Sequence, residues 1–136
     1  MTPRVRGTTL AVAMAATFAI MRTYLHASPD TDLNVAGYNI HHLFAGVLLL
    51  TAGGVAAVVL PVAHRYAMAA VAIFGIGLAL VLDEWLYLIV TDGTNASYLL
   101  PVSFWGGLTA VSLAAIYAVV LSRLGSRSPG SDLRPR

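Results

Sequence analysis

Four stretches of this sequence run for about twenty residues or more with scarcely a charge, and nothing else constrains its fold as strongly. A helix needs about 20 apolar residues to cross the hydrocarbon layer of a bilayer, where each backbone N–H and C=O must be bonded within its own segment. The stretches cover about residues 8–26, 36–63, 66–91 and 97–123. With 58% of residues hydrophobic, 10% charged and a mean hydropathy of +0.78, a soluble globule of 136 residues would lack polar surface. The sequence therefore predicts an all-α polytopic membrane protein, four transmembrane helices in an antiparallel bundle over residues 1–123. Residues 124–136 read as a disordered tail without apolar periodicity.

Short polar connectors separate the spans: Ser28-Pro29-Asp30-Thr31-Asp32, then His64-Arg65, then the run from Thr91 to Ser97. Arg4, Arg6, Arg65, Arg123, Arg127, Arg134 and Arg136 fall in the flanks of one side, while Asp30, Asp32 and Asp92 fall on the other. Because basic flanks stay in the cytoplasm, both termini and the tail are expected there, in the inner or plasma membrane of a prokaryote. A rival reading takes the first stretch as a secretory signal, since MTPRVRG precedes an apolar run that ends in LHAS. Arg22 and His26 interrupt its approach to the small residues, against that reading.

The net charge of +2 follows from the arginines of the cytoplasmic rim, whose natural partner is the lipid bilayer and its anionic head groups. Nothing favours nucleic acid. With no cysteine, disulfides, thiolate metal sites and thiol redox chemistry are excluded.

Ionisable residues inside a span are costly unless they meet a partner, water or a metal, and here they come in adjacent pairs: His41-His42 and Asp83-Glu84. At 1.5 Å per residue, His41 and His42 lie about 8 Å inside a second helix starting at Ala36, and Asp83 and Glu84 about 10 Å short of Val90. The pairs thus share an outer level on neighbouring helices. Arg22, His26, Tyr38, Asn39, Tyr87, Tyr98, Ser103 and Trp105 belong to the same level, and the cytoplasmic half is almost wholly apolar. Trp85 and Trp105, with Tyr24, Tyr38, Tyr87 and Tyr98, also fit an interfacial aromatic belt.

Three readings of this cup follow from its residue types. Two imidazoles and two carboxylates form a ligand set for zinc, iron or manganese, with His41, His42, Asp83 and Glu84 as ligands and an unligated carboxylate, Glu84 or Asp83, as general base. Arg22 then anchors an anionic group or neutralises a carboxylate, and Tyr38, Asn39 and Tyr87 complete the substrate side. Alternatively, Arg22 pairs with one carboxylate and the histidines bond the other, fixing helix register. In the third reading a carboxylate exchanges protons in a small, homo-oligomeric transporter or gates a ligand. Residue types alone leave open whether the cup is catalytic.

The stretches Ile40-His41-His42-Leu43-Phe44-Ala45-Gly46 and Gly75-Ile76-Gly77, continuing to Asp83-Glu84, resemble the signatures of small, uncharacterised prokaryotic multi-helix membrane proteins with His-His-Leu and Gly-x-Gly…Asp-Glu motifs. The resemblance covers the second and third helices. It implies a further histidine two places before the pair, where this chain has Asn39.

Overall fold

The structure is a computed structural model that describes residues 1–28, 34–35, 38–39 and 41–126. Four helices in it are long and apolar enough to cross a membrane: α1 (Pro3–Ala27), α2 (His42–Val59), α3 (Ala67–Val90) and α5 (Pro101–Gly125). Between α1 and α2, β1 (Asn34–Val35) pairs antiparallel with β2 (Tyr38–Asn39), Asn34 opposite Asn39. A single turn, α4 (Asn95–Tyr98), precedes α5.

Proline sets several of the boundaries. Pro3 opens α1 at its first position, where a missing N–H costs nothing, and Thr2 caps the helix by accepting the Val5 N–H at 3.4 Å. The helix thus starts about five residues before the expected start at 8. The residue before a proline is pushed out of the helical region. Leu60 accordingly ends α2 in extended conformation ahead of Pro61, and Leu100 separates α4 from α5 ahead of Pro101. The connector after α2 is therefore 60–66 rather than His64-Arg65 alone.

The largest displacement is at the start of the second span, expected at 36. Tyr38 and Asn39 lie in the ribbon, His41 is the N-cap of α2 and His42 its first residue, so the histidines begin the helix instead of sitting deep within it. Asn34 and Asn39, both in the ribbon, are poor helix formers, which disfavours a helix start before His41. Of the tail expected over 124–136, Leu124 and Gly125 are the last residues of α5, and the part beyond Ser126 lies outside the described residues.

Contacts at both ends give the helix directions. Gly7 meets Ser122 and Arg22 meets Ser103, so α1 and α5 run oppositely; Gly75 meets Leu10 and Ala13, and Asp83 meets Arg22, so α1 and α3 run together. Arg4, Arg6, Arg65 and Arg123 consequently share one end. Met14, Phe18, Ala79 and Val111 form the core of α1, α3 and α5, with Leu82 and Leu108 packed around them. Among the described helices, the α2 backbone packs closely on that of α3 alone. Glycines bring these two backbones together: a Cβ at Gly77 would sit 2.2 Å from the Leu50 nitrogen, and one at Gly53 2.4 Å from that of Phe74.

Candidate functional site

At the end remote from the arginine flanks, α3 carries Asp83 and Glu84 on adjacent positions. Successive residues on a helix project about 100° apart, so the two carboxylates face different neighbours. Asp83 faces α1 and α5; Glu84 faces the start of α2.

Arg22, from α1, holds Asp83. Its Nε donates to Asp83 Oδ1 at 2.8 Å and its Nη2 stands 2.6 Å from the same oxygen, so the guanidinium meets the carboxylate through one oxygen. Its Nη1 donates to the carbonyl of Tyr98 at 3.1 Å and the hydroxyl of Ser103 at 3.2 Å, and Nη2 donates to the Ser103 carbonyl at 3.0 Å. The cation also lies 4.1 Å from the Tyr98 ring centre, with Phe18 and Phe104 at 5.5 and 5.7 Å. Space for the pair exists because residue 107 is glycine: a Cβ there would lie 2.7 Å from Asp83 Oδ1 and 3.0 Å from Arg22 Nη2.

The second Asp83 oxygen, Oδ2, accepts from the Tyr98 hydroxyl and faces His42 Nε2 at 3.2 Å. With Arg22 on one oxygen and Tyr98 and His42 on the other, Asp83 is saturated. Glu84 uses Oε2 to accept the Leu43 backbone N–H at 2.7 Å, one of the donors left unpaired at the start of any helix. Its Oε1 faces Nδ1 of His41 and Nδ1 of His42, each at 3.2 Å. The His42 ring therefore bridges the two carboxylates, one nitrogen toward each. The carboxylate side chains are 1% and 4% exposed and the imidazoles 14% and 21%, so the histidines form the open side of the cluster.

Tyr87 is buried beneath, stacked edge-on against Tyr98 at 5.4 Å, its hydroxyl donating to the Thr94 carbonyl. The structure thus brings together Arg22, His41, His42, Asp83, Glu84, Tyr98 and Ser103. His26 is exposed, its Nδ1 3.2 Å from the Arg22 carbonyl; the side chains of Tyr38 and Asn39 lie outside the described residues. Among described residues no buried side-chain polar atom lacks a partner.

A transition metal needs several donors converging on one point about 2 Å from each. Among the described residues no group of three or more His, Asp or Glu side chains is so arranged. Asp83 is occupied by Arg22 and Tyr98, and the Leu43 N–H occupies one oxygen of Glu84, so the donor set does not fit such an ion.

Sequence reasoning missed the Leu43 N–H, the room that Gly107 leaves for the ion pair and the aromatic wall of Phe18 and Phe104. A helix start beside His42 would have revealed the first; nothing in the sequence marks the others. No family model, curated protein or solved structure matches the chain, so the reading of the site rests on its geometry.

Proposed function

We propose that this chain is an integral protein of a prokaryotic cell membrane, both termini cytoplasmic, whose outer polar cluster binds and releases a proton as part of a small proton-coupled carrier. The observation that carries the reading is the His42 ring set between Asp83 and Glu84, 3.2 Å from an oxygen of each. Carboxylates only accept hydrogen bonds, and a neutral imidazole has a single N–H. A ring hydrogen-bonded to Asp83 through Nε2, with Nδ1 at ion-pair distance from Glu84, suits one proton more than neutral histidine and two carboxylates supply. The charges agree, since Arg22 balances Asp83 and leaves the Glu84 charge to the α2 N-terminus and the histidines. In a low-dielectric span a net charge is costly, so a proton is the natural counter-ion.

Two parts are distinguished in this reading. Arg22, Asp83, Tyr98 and Ser103 are the frame; Glu84, His42 and His41 are the exchanging part, on the more open side. The other half of the bundle is apolar, so passage across the membrane calls for a second copy and hence a homo-oligomer.

Infrared difference spectroscopy on the protein in vesicles, stepped in pH, tests this. A protonation change in carboxylate and imidazole bands, absent from both E84Q and H42Q, is expected. A stoichiometric zinc, iron or manganese ion in elemental analysis, lost from the same variants, would replace the proton by a metal. Single cysteines at Thr2 and Asn95, labelled from outside in intact cells, report topology; labelling is expected only at position 95.

A further inference from the structure

At the end opposite the polar cluster, the α2 backbone packs closely on that of α3 and stands apart from those of α1 and α5, and a lateral groove of about 780 Å³ remains between them. Its walls are almost wholly apolar, including Gly54, Ala57, Phe74, Ala118 and Leu121. At its mouth stands Arg6. This side chain is half-buried, its Nη2 reaches the Ala57 carbonyl at 3.5 Å, and it has no acidic partner within ion-pair distance among the described residues.

An apolar slot open sideways, with the Arg6 guanidinium at its rim, suits an acyl chain whose head group is anionic. Water gains nothing from walls that offer it so few partners. The position agrees: the groove is at the arginine-bearing end, which basic flanks assign to the cytoplasmic leaflet, and that leaflet's surface attracts anionic lipid to juxtamembrane cations. A gap between spans left at bilayer depth is filled by whatever chain is at hand. An unpaired guanidinium fork then selects, by bidentate hydrogen bonding, for phosphate that carries net charge.

We infer that the groove between α2 and the α1–α5 pair is a binding site for an anionic phospholipid, its acyl chain against Ala57 and Phe74 and its phosphate on Arg6. The inference rests on the membrane reading and is independent of the proton site.

The full-length protein is reconstituted in vesicles containing phosphatidylglycerol or phosphatidylcholine with a photoreactive diazirine in one acyl chain, and adducts are mapped by mass spectrometry. With phosphatidylglycerol, adducts concentrate on Ala57, Phe74, Ala118 and Leu121, several-fold above the outward residues Val12 and Leu113. R6Q brings phosphatidylglycerol down to the phosphatidylcholine level, and A57F removes groove adducts while leaving those at Val12 and Leu113. Equal labelling by the two lipids in the wild-type protein overturns the proposal. So does labelling of Val12 and Leu113 with a silent groove, including the case where residues 127–136 or a second copy fill it. Absence of adducts at Val12 and Leu113 as well would instead sink the membrane reading.

Discussion

Glu84 on α3 accepts the Leu43 N–H of α2 at 2.7 Å, capping a helix whose backbone, among the described helices, packs closely on that of α3 alone. The N-cap residue itself, His41, makes no side-chain capping bond. A carboxylate at a helix N-terminus satisfies an orphan donor and meets the positive end of the helix dipole. Loss of such a cap costs about 1 kcal/mol. E84A is therefore expected to raise amide exchange at Leu43 and Phe44 while leaving α1 and α5 unchanged. E84Q keeps an acceptor and should raise it less, although it removes the charge on which the proposed proton site depends. Equal exchange in the two variants would show that Glu84 does not cap α2.

The ion pair of Arg22 and Asp83 depends on a missing side chain. At Gly107 a methyl group would stand 2.7 Å from Asp83 Oδ1, and neither partner has room to retreat, since Arg22 is held by Ser103 and Tyr98. G107A should destabilise the protein by about 1–3 kcal/mol, the usual range for overpacking. Its neighbour supplies the control. A Cβ at Gly106 meets only the Leu86 side chain, whose Cδ2 lies 2.2 Å away and can rotate aside. Thermal unfolding in mild detergent should rank wild type above G106A and G106A well above G107A.

Much of this architecture was readable from hydropathy and from polar residues placed where they do not belong. All four long helices follow from apolar length, and His41, His42, Asp83, Glu84 and Arg22 stand out because lipid makes such residues costly. Helix ends were less readable, although the signals were present: Pro3, Pro61 and Pro101 each mark a boundary through local sterics. The late start of α2 depended on a two-residue ribbon whose pairing is a weak local preference. Gly107 and the wall of Phe18 and Phe104 were beyond reach, because their role exists only once α1, α3 and α5 are packed together.

The loop before α4 gives a pH dependence outside the spans. Hydrogen bonds from Ser97, then from Thr94, hold the Asp92 carboxyl below its ordinary value of 3.8. Its Oδ1 accepts both the Thr94 N–H at 3.2 Å and the Thr94 hydroxyl at 2.9 Å, and Thr94 in turn caps α4 through the Ser97 N–H. A carboxyl with a depressed value stabilises the folded loop above 3.8, and that contribution disappears as pH falls through the lower folded value. Amide protection at Thr94 and Ser97, corrected for intrinsic exchange, should be level above about pH 4 and fall in more acidic solution. In D92A it should be lower throughout and lack the acid step.

Arg22 supplies both charge and shape, and two substitutions separate them. R22M leaves Asp83 buried with only Tyr98 and His42 as partners. D83N leaves the guanidinium without a counter-charge. Removing one partner of a buried ion pair costs about 3–5 kcal/mol, chiefly through the charge left behind. Combined, R22M/D83N should cost less than the two losses together, with a coupling of about 0.5–3 kcal/mol, because neither charge then remains. R22K preserves the charge and abolishes the fork. An ammonium has three donors at one point, whereas Arg22 uses separate nitrogens to reach Asp83, Tyr98 and Ser103 on α3, α4 and α5. If charge alone matters, R22K unfolds with the wild type. The geometry predicts that it falls closer to R22M, because Lys satisfies Asp83 and cannot at the same time replace the donors that Arg22 gives to the Tyr98 carbonyl and to Ser103.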